Sequence, residues 1–530
     1  MFSFLRRRLK GSSGSLGGGA LQLTGAKFIT LLIGTVSSMM MARLRSQADY
    51  GTYTTLLMSI RTLSVFLMMG LPNSINYFLA RAKTREQKQH FLSVYYTFST
   101  ALSVVIGVTL VLALPWLTQF FNNPNLSTYA YFLFVCPWIY ITSGCVDHLL
   151  IAYRHTRALT VFRISNSVAL LTIIVLAELF AAWGWGDAFR LYVLLYVICE
   201  GLYALAAYLF ARKYSGALRI RFDFKMLGRI LAFSLPIGLA SSVSTLNGEI
   251  DKLFIGATLS PDKLAVYEYG CRDLPFYVIP AAITSVLTPL IVRVVKKGLM
   301  DRAVSLWNRV VEFSYGILVF AAAMLVCFAP QVVELLYSEK YLESIPVFII
   351  FRFTLLLRVT YFGMILNATG RTKFIFVSSC ASLGVNVVLN SFFYFCTDLG
   401  TIGLAVASVI SAAMMNVVQL LATCRVIKTR FSAIMPWKQM GTLTLSAFSI
   451  GLVGRGLMGL AVTLLSPVFP NFSDLPLVAA VVCGTLCTAL YLFLYRGYIK
   501  TLWHFINSFK MADASKDDEE ENTPAAAAAE

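Results

Sequence analysis

The chain has 530 residues, of which 58% are hydrophobic and only 13% are Asp, Glu, Lys or Arg, and its mean hydropathy is +0.73. A soluble chain carries roughly a quarter charged residues to cover its surface, so a string of water-soluble domains is excluded and lipid is the solvent for most of the molecule. The net charge of +18 would point to nucleic acid in a soluble protein; here the cations lie between apolar runs and record membrane topology instead.

Residues 1–22 are basic and Gly/Ser-rich, with Arg6, Arg7, Arg8 and Lys10. They imitate the start of a signal peptide, but the run that follows contains Lys27 and lacks a small-residue cleavage site, so it reads as a retained helix. Crossing hydrocarbon takes about 20 mostly apolar residues. Such runs occur at 23–42, 54–79, 91–117, 128–152, 159–183 and 191–211. After a polar linker at 213–229 they resume at 230–258, 266–292, 310–329, 345–368, 374–395 and 402–424, and the last two are 441–465 and 475–495. The expectation is an all-α integral membrane protein of about fourteen transmembrane helices. Two parallel six-helix lobes, 23–212 and 230–428, enclose a central cavity, and 429–509 carries two further helices. Residues 510–530, with Asp517, Asp518, Glu519, Glu520 and Glu521 before an alanine run, read as a disordered acidic tail in the cytoplasm.

Loop charge sets the orientation. With the N-terminus inside, about 32 Lys and Arg fall on inside segments and about five on outside ones, so both termini face the cytoplasm. The ten cysteines are scattered through apolar runs without a CxxC pair and read as small buried hydrophobes, with no metal site. His90, His148, His155 and His504 have no ligand spacing, and no Gly-Lys dipeptide exists from which to write a phosphate-binding loop. No nucleophile elbow or catalytic carboxylate pair stands out. The expectation is a protein that is not an enzyme.

About seven cations lie inside apolar runs: Lys27, Arg61, Lys252, Arg272, Arg352, Arg358 and Arg455. A mid-helix Lys or Arg costs roughly 2.5–3.5 kcal/mol on insertion scales, so such residues face a cavity or a partner. Lys252 and Arg352 stand near run ends and read as snorkelling. Arg455, beside Gly451 and Gly454, reads as a brace, and Glu268 with Arg272 has the spacing of a helical ion pair. Lys27, Arg61 and Arg358 have no acid one turn away. Lys27, Arg61, Arg272 and Arg358 are therefore the candidate substrate-binding residues, and the ligand they imply is an anionic head group. A phosphate or diphosphate suits the planar donor fork of Arg. Glu249 and Asp251 are candidates for a coupling proton or sodium ion, the alternative being salt bridges to Lys252 or Arg272. Tyr53, Tyr267 and Tyr361 are sugar-stacking or packing rings.

The polar turn at 44–53, ending Asp49-Tyr50-Gly51-Thr52-Tyr53, is echoed at 259–267, and Ala152 … Thr156-Arg157 is echoed by Ala368 … Thr372-Lys373. Both echoes have nearly the same offset, 214 and 216 positions, as in duplicated transporters. These turns resemble a known family when joined with three further stretches. They are Gly70-Leu71-Pro72-Asn73, Phe233-Ser234-Leu235-Pro236 leading to Glu249-Ile250-Asp251-Lys252, and Leu366-Asn367-Ala368-Thr369-Gly370-Arg371. The likeness is to polysaccharide transporters of the multidrug/oligosaccharidyl-lipid/polysaccharide (MOP) flippase superfamily. It implies a Wzx-type flippase, working by alternating access in the bacterial inner membrane. The substrate would be undecaprenyl-diphosphate-linked oligosaccharide, for O-antigen, capsule or exopolysaccharide. A polysaccharide polymerase and a chain-length regulator are the implied partners, with no nucleic acid and no cofactor beyond a coupling ion. Lys27, Arg61 and Arg272 fall on the first, second and eighth helices, which carry cavity cations in related lipid II flippases. One alternative is a cation-coupled drug exporter, which would favour acidic cavity residues. Another is a membrane glycosyltransferase or polymerase, for which loops such as 122–127 and 184–187 are short.

Overall fold

Backbone in hydrocarbon must satisfy its own N–H and C=O groups, so long apolar runs become helices. The computed structural model describes residues 16–497 apart from 69, 471 and 473, and every regular element among them is helical. The basic stretch with Arg6, Arg7, Arg8 and Lys10, and the acidic tail, lie outside the described residues. In chain order the helices are α1 (Leu16–Leu44), α2 (Gln47–Met68), α3 (Leu71–Arg81), α4 (Arg85–Leu112), α5 (Leu114–Phe120), α6 (Ala130–Gly144) and α7 (Val146–Ala152). Next come α8 (Thr156–Ala182), α9 (Ala188–Ser215), α10 (Phe224–Thr258), α11 (Pro261–Cys271), α12 (Val278–Lys296), α13 (Met300–Cys327) and α14 (Ala329–Tyr337). The series ends with α15 (Ile345–Arg352), α16 (Thr354–Leu357), α17 (Met364–Ala368), α18 (Thr372–Cys396), α19 (Gly400–Ile427), α20 (Trp437–Leu465) and α21 (Leu475–Leu494).

Local chemistry fixes the starts. Thr84 and Gln87 form a capping box for α4. Asp187 accepts from the N–H groups of Phe189 and Arg190 to begin α9, and Asp223 accepts from Met226 to begin α10. The Met226 N–H, helped by His90 Nε2 at 3.0 Å, holds the Asp223 carboxyl below its usual value. On the outer face, α20 and α21 expose Leu445, Leu452, Leu457, Leu486 and Phe493, a surface suited to acyl chains rather than water. Arg455 Nη1 donates to Cys327 O at 2.5 Å and ties α20 to the end of α13, the bracing role the sequence suggests.

Eleven described helices are long and apolar enough to cross a membrane, or twelve if α2 and α3, which meet at 46°, count as one. Two of the fourteen expected runs, 266–292 and 345–368, contain no described helix long and apolar enough to cross a membrane. The first breaks after Cys271: Arg272 leaves the helix at φ −59 and ψ 133, and Pro275 has no N–H to return to the Cys271 carbonyl and holds Leu274 extended at φ −98 and ψ 158. The second breaks between Leu357 and Met364. Neighbours satisfy the freed carbonyls: Arg352 donates to Gly270 O and Arg272 O, and Asn416 donates to Leu357 O. The two breaks also meet, since Arg358 Nη1 reaches both oxygens of Asp273 at 2.6 and 2.7 Å.

The duplication reappears in the element boundaries. Starts at Arg85, Leu114, Ala130 and Thr156 recur at Met300, Ala329, Ile345 and Thr372, each about 215 positions later. Helices of the two copies meet along α2, which packs on α10 and α11. A Cβ on Gly70 would stand 2.7 Å from the Gly238 backbone, and the Tyr50 ring stacks on Tyr269 at 4.4 Å. This seam holds the site.

Candidate functional site

Tyr50, Tyr53, Thr54, Leu57, Met58 and Arg61 recur at helical spacing and make one stripe of α2. Opposite them stand Glu249 and Lys252, three apart on α10, and Glu268 near the end of α11 followed by Arg272 in the break. Together they line a cavity of about 180 Å³. Arg61 Nη1 lies 2.6 Å from Glu249 Oε1, and Lys252 Nζ bridges Glu249 Oε2 at 3.1 Å and Glu268 Oε2 at 2.9 Å. Arg272 Nη1 donates to the Tyr50 hydroxyl at 2.8 Å. Three cations thus face two carboxylates, and one positive charge in the cluster has no carboxylate of its own.

Several expected pairings turn out differently. Glu268 pairs with Lys252 rather than Arg272, because α11 ends at Cys271 and the four-residue helical geometry stops short of Arg272. Lys252 does not snorkel; its side chain is 13% exposed inside the ion network. Arg352 does not snorkel either. It is buried, donates to Phe348 O, Gly270 O and Arg272 O, and caps the C-terminal end of α11, so it positions Arg272.

The proposed substrate residues are only partly gathered. Arg61 and Arg272 share the 180 Å³ cavity. Arg61 also lines a second cavity, of about 550 Å³, together with Arg163, Glu200 and Tyr140 of the first half and Ser241 of α10. Ser241 connects that space to a third, largely apolar cavity of about 1480 Å³, which holds Arg358, Lys373, Tyr277 and Tyr361. Arg358 is therefore on a different wall and carries Asp273 as its partner. Lys27 is exposed on α1, is not among the residues lining these cavities, and among the described residues has no ion pair. Sequence reading missed Arg163, counted among the loop cations, whose Nη2 lies 2.8 Å from Asp147 in the cavity wall. Its acid sits on α7, the only signal being a carboxylate in an apolar run.

Glu249 and Asp251 part company. Glu249 is held by two cations. Asp251, 5% exposed, is held by neutral donors: Asn390 Nδ2 at 2.8 Å, the Tyr267 hydroxyl at 2.8 Å, and the Ser408 hydroxyl. Beside it Asn386 Nδ2 donates to Asn247 Oδ1 at 3.2 Å, while Asn386 Oδ1 and Asn390 Oδ1 are buried acceptors with no donor. Tyr267 therefore serves Asp251 rather than a sugar ring, whereas Tyr53 and Tyr361 line cavities.

The sequence model of a family described as polysaccharide biosynthesis protein matches residues 40–346. The probable lipid II flippase MurJ of Rhizobium meliloti (strain 1021) is 27% identical over 278 residues, 48% of this chain and 49% of that protein. The chain thus spans about half the length of the curated relative it matches. Among solved structures, lipid II flippase MurJ in an inward closed conformation superposes with a TM-score of 0.65 at 14% identity, over 90% of this chain and all of that one. An inward-facing multidrug resistance MATE family transporter of the MOP superfamily gives 0.59 at 17% identity, over 76% and 95% of the two chains. A MOP superfamily transporter from Pyrococcus furiosus gives 0.54 at 16% identity, over 80% and 98%. At these identities the structural likenesses establish the fold.

Proposed function

The chain belongs to the polysaccharide biosynthesis protein family and has the fold of MOP superfamily transporters, and from that premise we propose that it is a flippase for lipid-linked oligosaccharide. The observation that carries the reading is the meeting of Arg61, Lys252 and Arg272 with only two carboxylates in a cavity between helices of both halves. The substrate class is undecaprenyl-diphosphate-linked oligosaccharide repeat units, moved across a bacterial inner membrane for surface polysaccharide. A diphosphate accepts bidentate donation from Arg61 and Arg272 and displaces Glu249 from Arg61, while the exposed half of Arg61 keeps it open to the larger cavity. The polar sugars occupy the wet cavities and the tail stays in lipid. Rocking of one half against the other then exposes the site to the opposite face. Arg358, on the wall of the 1480 Å³ cavity, meets the head group during passage rather than at its resting place, and Lys27, which lies outside these cavities, takes no part in this reading.

Coupling falls to Asp251 rather than Glu249, whose charge is already committed to Arg61 and Lys252. Orphaned amide oxygens beside a buried carboxylate fit a hard cation such as sodium, and a proton on Asp251 would discharge the same site. Asp251, Asn386 and Asn390 would hold it. The membrane relatives named above are flippases and transporters, and covalent sugar transfer is not part of this reading.

The test is head-group translocation in proteoliposomes loaded with a polyprenyl-diphosphate oligosaccharide. Arg61→Ala and Arg272→Ala should each slow it about tenfold or more, equivalent to ~1.4 kcal/mol, at unchanged protein content. Wild-type rates in both variants would remove these residues from the site, and appearance of a sugar-transfer product would replace transport by an enzyme.

A further inference from the structure

At the end of the molecule opposite Gln47 and Pro261, where the loop cations assign the cytoplasm, a cavity of about 1040 Å³ opens between α3, the start of α4 and the linker leading into α10. It is separate from the central site. Helix α3 gives Pro72 and Asn73 to the 550 Å³ cavity but Tyr77 and Arg81 to this one, and the Tyr77 ring, stacked on Phe233 at 4.0 Å, closes α3 onto α10. Four guanidinium groups, Arg81, Arg219, Arg221 and Arg229, line it against a single carboxylate, Glu86. Arg81 is engaged by the Tyr77 hydroxyl and Arg221 by His90 Nδ1 at 2.5 Å. Arg219 and Arg229 are exposed, and among the described residues neither guanidinium has an acid partner.

The linker supplies a second, independent observation. The Arg219 N–H donates to Ser93 Oγ at 3.2 Å and the Arg221 N–H to Thr97 Oγ1 at 3.0 Å, so the segment runs extended along α4 and its residues alternate between two sides. Arg219 and Arg221 turn to the cavity. Ile220, Phe222 and Phe224 are 82%, 64% and 71% exposed. Large uncovered apolar side chains interleaved with arginines mark a segment lying at the boundary between acyl chains and phosphates. That places the mouth of the cavity at the level of lipid head groups.

We propose that this cavity binds the phosphate head of a membrane lipid. Arg219 and Arg229 supply the free donor forks, whose planar geometry matches phosphate oxygens, Tyr77 and Phe233 form the apolar wall along which the acyl chains leave, and Ile220 and Phe222, on the other side of the segment, mark the level of the surrounding hydrocarbon. The assignment does not depend on the central site being a transport site, and its test is chosen accordingly.

The full chain, with p-benzoylphenylalanine in place of Ala232 on the cavity wall, is reconstituted in nanodiscs containing phosphatidylglycerol, and the photo-cross-linked product is identified by mass spectrometry. The expected product is the phospholipid adduct. Arg219→Ala with Arg229→Ala should cut its yield about tenfold, the change expected for ~1.4 kcal/mol of lost affinity, and Arg219→Lys with Arg229→Lys should recover part of it. Arg61→Ala, which disables the central site, should leave the adduct unchanged. An unchanged yield in the double Ala variant overturns the proposal, as does equal cross-linking to diacylglycerol, which has no phosphate. Loss of the adduct to an equal concentration of inorganic phosphate would make this a free-phosphate site. Cross-linking to the acidic tail instead of lipid would assign the cavity to that segment.

Discussion

At the scale of single residues, Arg61 and Glu249 are unequal partners. The arginine side chain is 43% exposed and the carboxylate 7%. Removing Arg61 leaves Glu249 still paired with Lys252, so its loss bears on ligand capture more than on folding. Asp251 is the opposite case: fully enclosed, with three neutral donors and no cation. Asp251→Asn keeps the shape, and the surrounding hydroxyls and amides can reverse their donor roles, so the variant should fold. Transport by it should no longer respond to an imposed proton or sodium gradient, as measured in proteoliposomes with and without the gradient; a variant that still responds would remove Asp251 from coupling. The charges themselves were legible in the sequence, because a cation in hydrocarbon is costly enough to demand a reason. Their partners were not. Glu249 lies 188 positions from Arg61, and no local spacing predicts that bond. Arg352 was misread because a run of apolar residues gives no sign that a broken helix nearby needs its carbonyls capped.

Among the elements, the breaks matter more than the spans. Gly70 sits at φ 71 between α2 and α3, with the Gly238 backbone where a side chain would begin. A Cβ there meets both a left-handed backbone and immovable main-chain atoms. Gly70→Ala should therefore destabilise the protein by about 1–3 kcal/mol, read as a lower melting temperature in detergent; an unchanged melting curve would mean that α3 and α10 separate easily. Hydropathy found nearly all the helices because burial in lipid is a property of the run as a whole. It passed over the interruptions at Arg272 and Arg358 because a few polar residues barely change a window average. Pro275 was the available signal for the first, and the pairing of Asp273 with Arg358 shows why the second lies where it does. The site depends on these interruptions: Arg272 reaches Tyr50 from backbone that has left the helix.

For the whole molecule, the two copies are latched at the end where α2 and α11 begin. Arg43 Nη2 donates to Leu335 O at 2.8 Å, Gln47 Nε2 to Lys340 O at 2.5 Å, Lys340 Nζ to Arg43 O at 3.0 Å, and Asn122 Nδ2 to Ala257 O at 3.3 Å. Most of these are exposed side chains holding backbone carbonyls, bonds worth about 1 kcal/mol apiece, and a population of states can be tilted by removing them. Arg43→Ala with Gln47→Ala should speed amide hydrogen exchange in the first turn of α2 and around Tyr337, and unchanged exchange would show that the latch lies elsewhere. The parallel duplication was legible as two echoes at one offset, and the recurring helix starts follow the same interval. The cluster at the seam has one more consequence. Because Glu249 and Glu268 stay beside Lys252, Arg61 and Arg272, the empty protein carries built-in counterions. In the proposed cycle, Glu249 would return to Arg61 once the cargo has left, so the unloaded protein would cross the hydrocarbon with one uncompensated positive charge at its centre rather than three.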